Sequence, residues 1–303
     1  MMLSSLQLEA LAAVCDAGSF EQAAARLRVT PSALSQRISG LERHLGRALV
    51  RRSRPVTPTT DGDTVLRLAR QTTLLQAECL DALARSDGAG APGLIRVSVA
   101  VNADTLGTWF SEVVADVAAE GALLLDLRVE DETRTADLLR AGDVMAAVSV
   151  DPHPIQGCSA TPLGVMPYVP VISPDLLARL GLGSARADDL PSIPMLRFGP
   201  DDDLQYELLR RAGHPDADPP AHHVPSNADF LASALCGLGW GAIPLPQVRR
   251  PLADGSLVRI AGADDIDVPL FWHRWRIDSP TLARLTTLVT EAARVHLRPP
   301  PPE

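Results

Sequence analysis

The sequence predicts an all-α N-terminal head, one long linker helix and a C-terminal α/β body within 303 residues. Three observations carry this expectation. The first 60 residues show apolar residues at helical spacing, broken by turn and capping signals. From about Thr59 to Leu83 the apolar residues step by three and four. From residue 94 onward, short apolar runs alternate with helical stretches, as in βαβ units.

In the head, Leu8, Leu11 and Val14 place a helix at about Ser5–Asp16, which Gly18-Ser19-Phe20 breaks. A second helix is expected at Glu21–Leu27. After the turn Arg28-Val29-Thr30, Thr30 suits an N-cap and Pro31 the first helical position, where its missing N–H costs nothing. The third helix runs to Leu45, with Gly46 at the C′ position. Leu34, Ile38, Leu41 and Leu45 make its buried stripe. Ser32, Ser35, Gln36, Ser39 and Arg43 project from the other side, joined by Arg37. Hydroxyls, an amide and guanidinium groups on the free face of a helix after a tight turn suit base reading in a DNA major groove. Arg51, Arg52 and Arg54 follow on an expected β-wing, within reach of phosphates. The head is thus a winged helix-turn-helix, residues 1–58.

Charge agrees with this division. Residues 1–60 hold eight arginines against four acids; the remainder holds 20 arginines against 33 acids, and the chain has no lysine. A basic head on an acidic body fits a polyanion-binding module joined to something else. Residues 59–92 comprise the linker helix and a hinge, Ser86 to Gly93. The seam Leu66, Ala69, Thr73, Gln76, Leu80 and Leu83 is heptad-like, so a second copy of the chain is its expected partner.

In the body, residues 93–303, strands are expected at Leu94–Val101, Leu123–Val129, Val144–Val150, Tyr168–Ile172, Pro194–Phe198, after Gly239 and at Leu270–Trp275. Helices are expected near 106–119, 135–140, 204–212, 229–238 and 280–297. An irregular tail follows from Pro299. The triplet Asn102-Ala103-Asp104 is echoed at Asn227-Ala228-Asp229, each at a helix entrance.

The four cysteines stand 64 or more residues apart, so neither a zinc knuckle nor a disulfide framework is supported; buried thiols are expected. No apolar run approaches the roughly 20 residues a membrane span needs. The N-terminus has no basic, apolar leader pattern, so a cytoplasmic chain with no membrane partner is expected. No nucleophile motif accompanies Trp272-His273-Arg274. The run from Gly237 to Gly241 lacks phosphate-loop spacing. The expectation is no enzyme, no metal and no cofactor.

The run from Phe20 to Gly46, with Thr59-Thr60-Asp61-Gly62 opening the linker helix, resembles the LysR-type transcriptional regulators. Val101 to Asp104, Val129 to Thr135, Ala147-Val148-Ser149 and Trp272 to Arg274 are similar to the ArgP/LysG branch, which controls export of basic amino acids. The resemblance implies a two-lobed effector domain like type 2 periplasmic binding proteins, with lobe I at about 93–163 and 267–303 and lobe II at about 164–266. It implies dimers or tetramers acting on promoter DNA, with RNA polymerase as a further partner and lysine or arginine as effector. Two departures stand out: Asp61, where a small apolar residue is common, and Asp151, where an uncharged residue is frequent. A basic amino acid needs carboxylates for its amines, offered by Asp104, Glu130, Asp131 and Asp151 past the ends of strands. Asn102, Thr105, Ser149 and Asn227 add neutral hydrogen-bonding groups or helix entrances for its carboxylate. The competing expectation is an architectural or replication-associated DNA-binding protein without an effector.

Overall fold

The computed structural model describes residues 3–86, 93–130 and 132–299. Most of the expected hinge, the tail from residue 300, and Asp131 lie outside them. Capping side chains shape the head. Helix α1 (Ser5–Ala17) is followed by α2 (Phe20–Leu27), where the Ser19 hydroxyl accepts from the Gln22 N–H. In α3 (Pro31–Leu45) the Thr30 hydroxyl accepts from the Ala33 N–H at 3.1 Å, and Gly46 closes the helix at φ 68°. Leu34, Ile38 and Leu41 are fully buried against Leu11, Val14 and Ala23. The wing is the antiparallel pair β1 (Val50–Arg51) and β2 (Thr57–Pro58). The Glu42 carboxylate steers the chain into it by accepting from the Leu49 N–H at 2.9 Å.

Helix α4 (Thr60–Ser86) departs from the expected seam. Leu66 is buried within the chain's own head, Ala69 is buried too, and Leu74 enters the core of the body. Leu80 and Leu83 of the expected seam are exposed, and Leu68 and Leu75 are exposed with them in place of its first half. The apolar spacing alone could not say which face meets the same chain. Polar contacts fix α4 to the body as well. Glu78 accepts from the Ser279 hydroxyl and the Thr281 N–H at 2.6 and 3.0 Å. Arg70, in the middle of the helix, pairs with Asp16 of the head and, at 2.5 Å, with Asp143 of the body.

The body continues with β3 (Ile95–Val101), α5 (Ala103–Leu106), α6 (Phe110–Glu120), β4 (Leu123–Val129), α7 (Glu132–Ala141) and β5 (Ala146–Ser149). The helix expected at 106–119 is therefore two, parted at Gly107–Trp109. β6 (Cys158–Ile172) leads to α8 (Pro174–Arg179), β7 (Met195–Arg197), α9 (Leu204–Arg211), β8 (Ala221–His223), α10 (Asn227–Leu235), β9 (Gly241–Pro244), α11 (Leu245–Asp254) and β10 (Val258–Arg259). β11 (Ile266–Trp275) and α12 (Pro280–His296) complete the chain.

The main sheet runs β4-β3-β5-β11-β6-β10, with β9 also on β6. Within it β3 with β4 and β5 form the expected parallel βαβ layer, and β7 and β8 make a separate parallel pair joined through α9. β11 and β6 pair antiparallel over ten positions, with an irregularity between Leu270 and Phe271. β6 runs unbroken across the expected lobe boundary at 163/164. One large core extends through the sheet, and a second, around Phe230, Ile243 and Val248, lies under α10 and α11. Cys158 is buried and Cys15 partly so, whereas Cys79 and Cys236 are exposed, contrary to expectation. Burial pushes the Cys15 thiol up to about 12, so it stays protonated.

The α7 C-terminus meets α4 closely. Gly142 has φ 77°, and a Cβ on it would lie 2.8 Å from the Arg67 Cα. Arg70→Ala would leave Asp16 and Asp143 facing each other without their cation. Because both are partly hydrated, the expected loss is about 1–3 kcal/mol rather than the full cost of breaking a buried pair. A lower urea midpoint and faster proteolysis between head and body would register it.

Candidate functional site

Two regions collect chemistry-bearing side chains. The first is the outer face of α3 with the wing. Ser32, Gln36 and Arg43 are exposed at helical spacing, and Ser35, Arg37 and Ser39 are partly exposed beside them. Thr30 is engaged as the cap and Pro31 opens the helix. Arg51, Arg52 and Arg54 are exposed on the wing. Arg52 is held in place: it donates to the Ser39 hydroxyl at 3.1 Å and its guanidinium lies 5.7 Å from the Phe20 ring centre. Phe20, Ser35, Arg52 and Arg54 line one groove between α2, α3 and the wing. Phe20 escaped the sequence reading because an aromatic after a glycine turn signals core, not a platform for a cation. Asp61 pairs with Arg47 at 2.9 Å, so its charge is met within the head.

The second region is a cleft between α5 and the elements that follow β6. It is lined by Asp104, Tyr168, Phe198, Asp202, Leu204, Asn227, Phe230, Ala242, Ile243, Pro244 and Gln247. The Tyr168 hydroxyl donates to Asp104 Oδ2 at 2.7 Å, and the Asn227 amide donates to Asp104 Oδ1. Gln247 Nε2 donates to Asn227 Oδ1 at 2.5 Å. Burial raises the Asp104 carboxyl above the ordinary aspartate range. The Tyr168 and Asn227 bonds pull it down, and the Asp202 charge adds to the rise. Asp202 accepts from the Phe198 and Leu204 N–H groups, which hold its side chain in the loop before α9. The described lining thus carries two carboxyl groups, no basic side chain, and the rings of Tyr168, Phe198 and Phe230. Such a lining suits an organic cation.

Of the eight residues expected around an effector, the cleft gathers Asp104 and Asn227. Asn102 caps α5, its Oδ1 accepting from the Thr105 N–H at 2.7 Å, and Thr105 is buried behind it. At the second helix entrance the cap is Ser226 rather than Asn227, one residue earlier than the echo suggests, which frees the Asn227 amide for the cleft. Ser149 is buried and accepts from the Asp151 N–H. The Asp151 carboxylate turns to His153, which holds it below the usual aspartate range. Neither lines the cleft. Glu130 lies partly buried after β4. His273 is buried and its Nε2 donates to the Asp151 carbonyl at 2.8 Å, so the Trp272–Arg274 stretch braces a turn. Tyr168, Phe198, Asp202, Phe230 and Gln247 were missed. Tyr168, one of only two tyrosines, carried the one available signal: a hydroxyl within an otherwise apolar run.

A basic winged head and a body with an acidic cleft define a class that comparison with known proteins makes specific. The family model of the bacterial regulatory helix-turn-helix protein, lysR family, matches residues 6–63, and that of the LysR substrate binding domain matches residues 92–294. The chain belongs to the LysR family of transcriptional regulators. It is 45% identical over 291 residues to the HTH-type transcriptional regulator LysG of Mycobacterium tuberculosis, covering 96% of this chain and 94% of that one. Among solved structures, ArgP from Mycobacterium tuberculosis aligns at TM-score 0.87 and 43% identity, covering 98% of this chain and all of that one. Full-length LysG from Corynebacterium glutamicum with bound effector Arg aligns at TM-score 0.79 and 38% identity, with the same coverage.

A raised carboxyl in the folded state means that the folded chain binds the Asp104 proton more tightly than the unfolded chain does. Asp104 therefore costs stability progressively as pH rises from the unfolded value through the folded one. Asp104→Asn removes that cost. Its melting temperature relative to the parent is expected to improve from pH 4 to pH 8; a gap that stays constant across the series would contradict this.

Proposed function

We propose that this regulator binds arginine or lysine in the cleft and uses its occupancy to change the grip of the head on the promoter of an amino acid exporter gene. The carrying observation is the cleft lining: Asp104 and Asp202 among aromatic rings, with no cation among the described lining residues. A guanidinium or ammonium group there meets charge it can pair with, whereas a neutral side chain would leave Asp104 buried and unmatched. The relative from Corynebacterium glutamicum, which has Arg as its bound effector, supports this choice.

In the head, Ser32, Ser35, Gln36, Ser39 and Arg43 face base edges. Arg37, Arg51, Arg52 and Arg54 face phosphates, and Thr30 and Pro31 set the angle of α3. Leu68, Leu75, Leu80 and Leu83 on α4 form the stripe that a second copy covers. Effector binding shifts the balance between two arrangements of the lobes only by its difference in affinity for them. Helix α4 touches both head and body, so it carries that shift to the DNA-binding face.

Calorimetry on the full chain tests the effector. Arginine or lysine should release heat, while citrulline and norleucine should not, and Asp104→Asn should weaken binding by about 100-fold. Absence of heat with every amino acid would overturn the proposal in favour of an effector-free DNA-binding protein. In the head, Gln36→Ala should cost about 1–3 kcal/mol on the preferred duplex and little on random duplex. Arg52→Ala should weaken both alike and reduce the salt slope by about one. Equal losses on the two duplexes for Gln36→Ala would remove it from base reading.

A further inference from the structure

An amide side chain is nearly symmetric in shape but not in polarity. Asn227 has its Oδ1 turned to Gln247 and its Nδ2 turned to Asp104. Flipped over, it would set an oxygen against the Asp104 carboxylate and an N–H against the Gln247 N–H. The surroundings leave the amide little freedom besides that flip. A Cβ on Gly107 would lie 2.5 Å from Asn227 Oδ1 and 2.8 Å from its Cγ, so the amide is already confined between α5 and α11. The Asp104 carboxylate and the Gln247 donor select the orientation together, and when Asp104 is protonated Gln247 is the one left to hold it.

We infer that Gln247 is the positioning residue of the effector cleft: by pinning the Asn227 amide it keeps a donor aimed at Asp104, and so makes the cleft selective for a cationic ligand over a neutral one of the same shape. This rests on the reading that the cleft takes a basic amino acid. Three groups face Asp104: the Tyr168 hydroxyl from β6, the Asn227 amide from α10, and the Asp202 carboxylate from the loop before α9. Burial and Asp202 favour the neutral acid, while the two donors favour the carboxylate. Removing one of the two donors tips Asp104 toward its neutral form. A carboxylate has about four acceptor sites, of which Tyr168 and Asn227 fill two; the remainder serve the ligand's N–H groups. Gln247 thus acts on the ligand through Asn227, and the pH at which Asp104 ionises becomes the pH above which the cleft prefers arginine.

Gln247→Met keeps the length of the side chain and removes its donor. In calorimetry of the full chain from pH 5.5 to 8.5, this variant should bind arginine about tenfold more weakly at the acidic end, with the deficit shrinking as pH rises. Asn227→Ala should behave in the same way. The double variant should be no weaker than Asn227→Ala alone, because the two residues act in series. An equal loss at every pH, additive losses, or no loss for Gln247→Met would each overturn the inference. If the parent chain itself binds neither arginine nor lysine, the effector reading fails, and carboxyl ¹³C NMR of aspartate-labelled protein still decides the role of Gln247. The Asp104 signal, assigned by its loss in Asp104→Asn, should titrate at higher pH in Gln247→Met; an unmoved titration overturns the inference on its own.

Discussion

The Arg70 side chain is only 13% exposed, and its buried charge is matched by Asp16 and Asp143, which face it from two different parts of the chain. Burial alone works against a guanidinium charge; the two carboxylates more than offset it and raise its affinity for its proton. Through this tie one side chain of the linker is joined to head and body at once. It fastens the end of α1, the middle of α4 and the turn before β5 at one point. Other contacts flank it: Leu66 packs into the head, Arg67 donates to the Gln156 carbonyl at 3.2 Å and touches Gly142, and Leu74 and Glu78 further along bind the body.

The tie also explains the orientation of α7. That helix starts after β4, on the edge of the sheet that carries Asp104, and ends at Gly142, where it touches Arg67 of α4. The βαβ layer therefore spans the distance between the cleft side of the body and the linker.

The head was legible residue by residue because its signals are local. Thr30 before Pro31, and Gly46 after Leu45, act within a single turn of chain, and both end α3 where expected. The body was less legible where pairing is long-range. The part of β6 before Tyr168 contains Pro162, Gly164 and Pro167, residues that argue against a central strand, and its partner β11 lies about a hundred residues away. Helix α11 carries Pro251 in its interior, which hid it from any reading by propensity. In the cleft, Asp104 was visible because it follows a strand, and Asn227 because of the echoed triplet. Tyr168 and Gln247 were not, since only the antiparallel return of the chain brings them to Asp104. The seam of α4 was legible at Leu80 and Leu83 but not at Leu66 and Ala69, for a related reason: a helix with two partners has two stripes, and spacing cannot assign them.

The length of α4 has a mechanical corollary. At about 1.5 Å per residue, its 27 residues form a rod of about 40 Å, with the winged head at one end. The Arg70 tie to Asp143 stands ten residues in from Thr60, about 15 Å along the rod, so the head hangs on a short lever and is not swung from the far end.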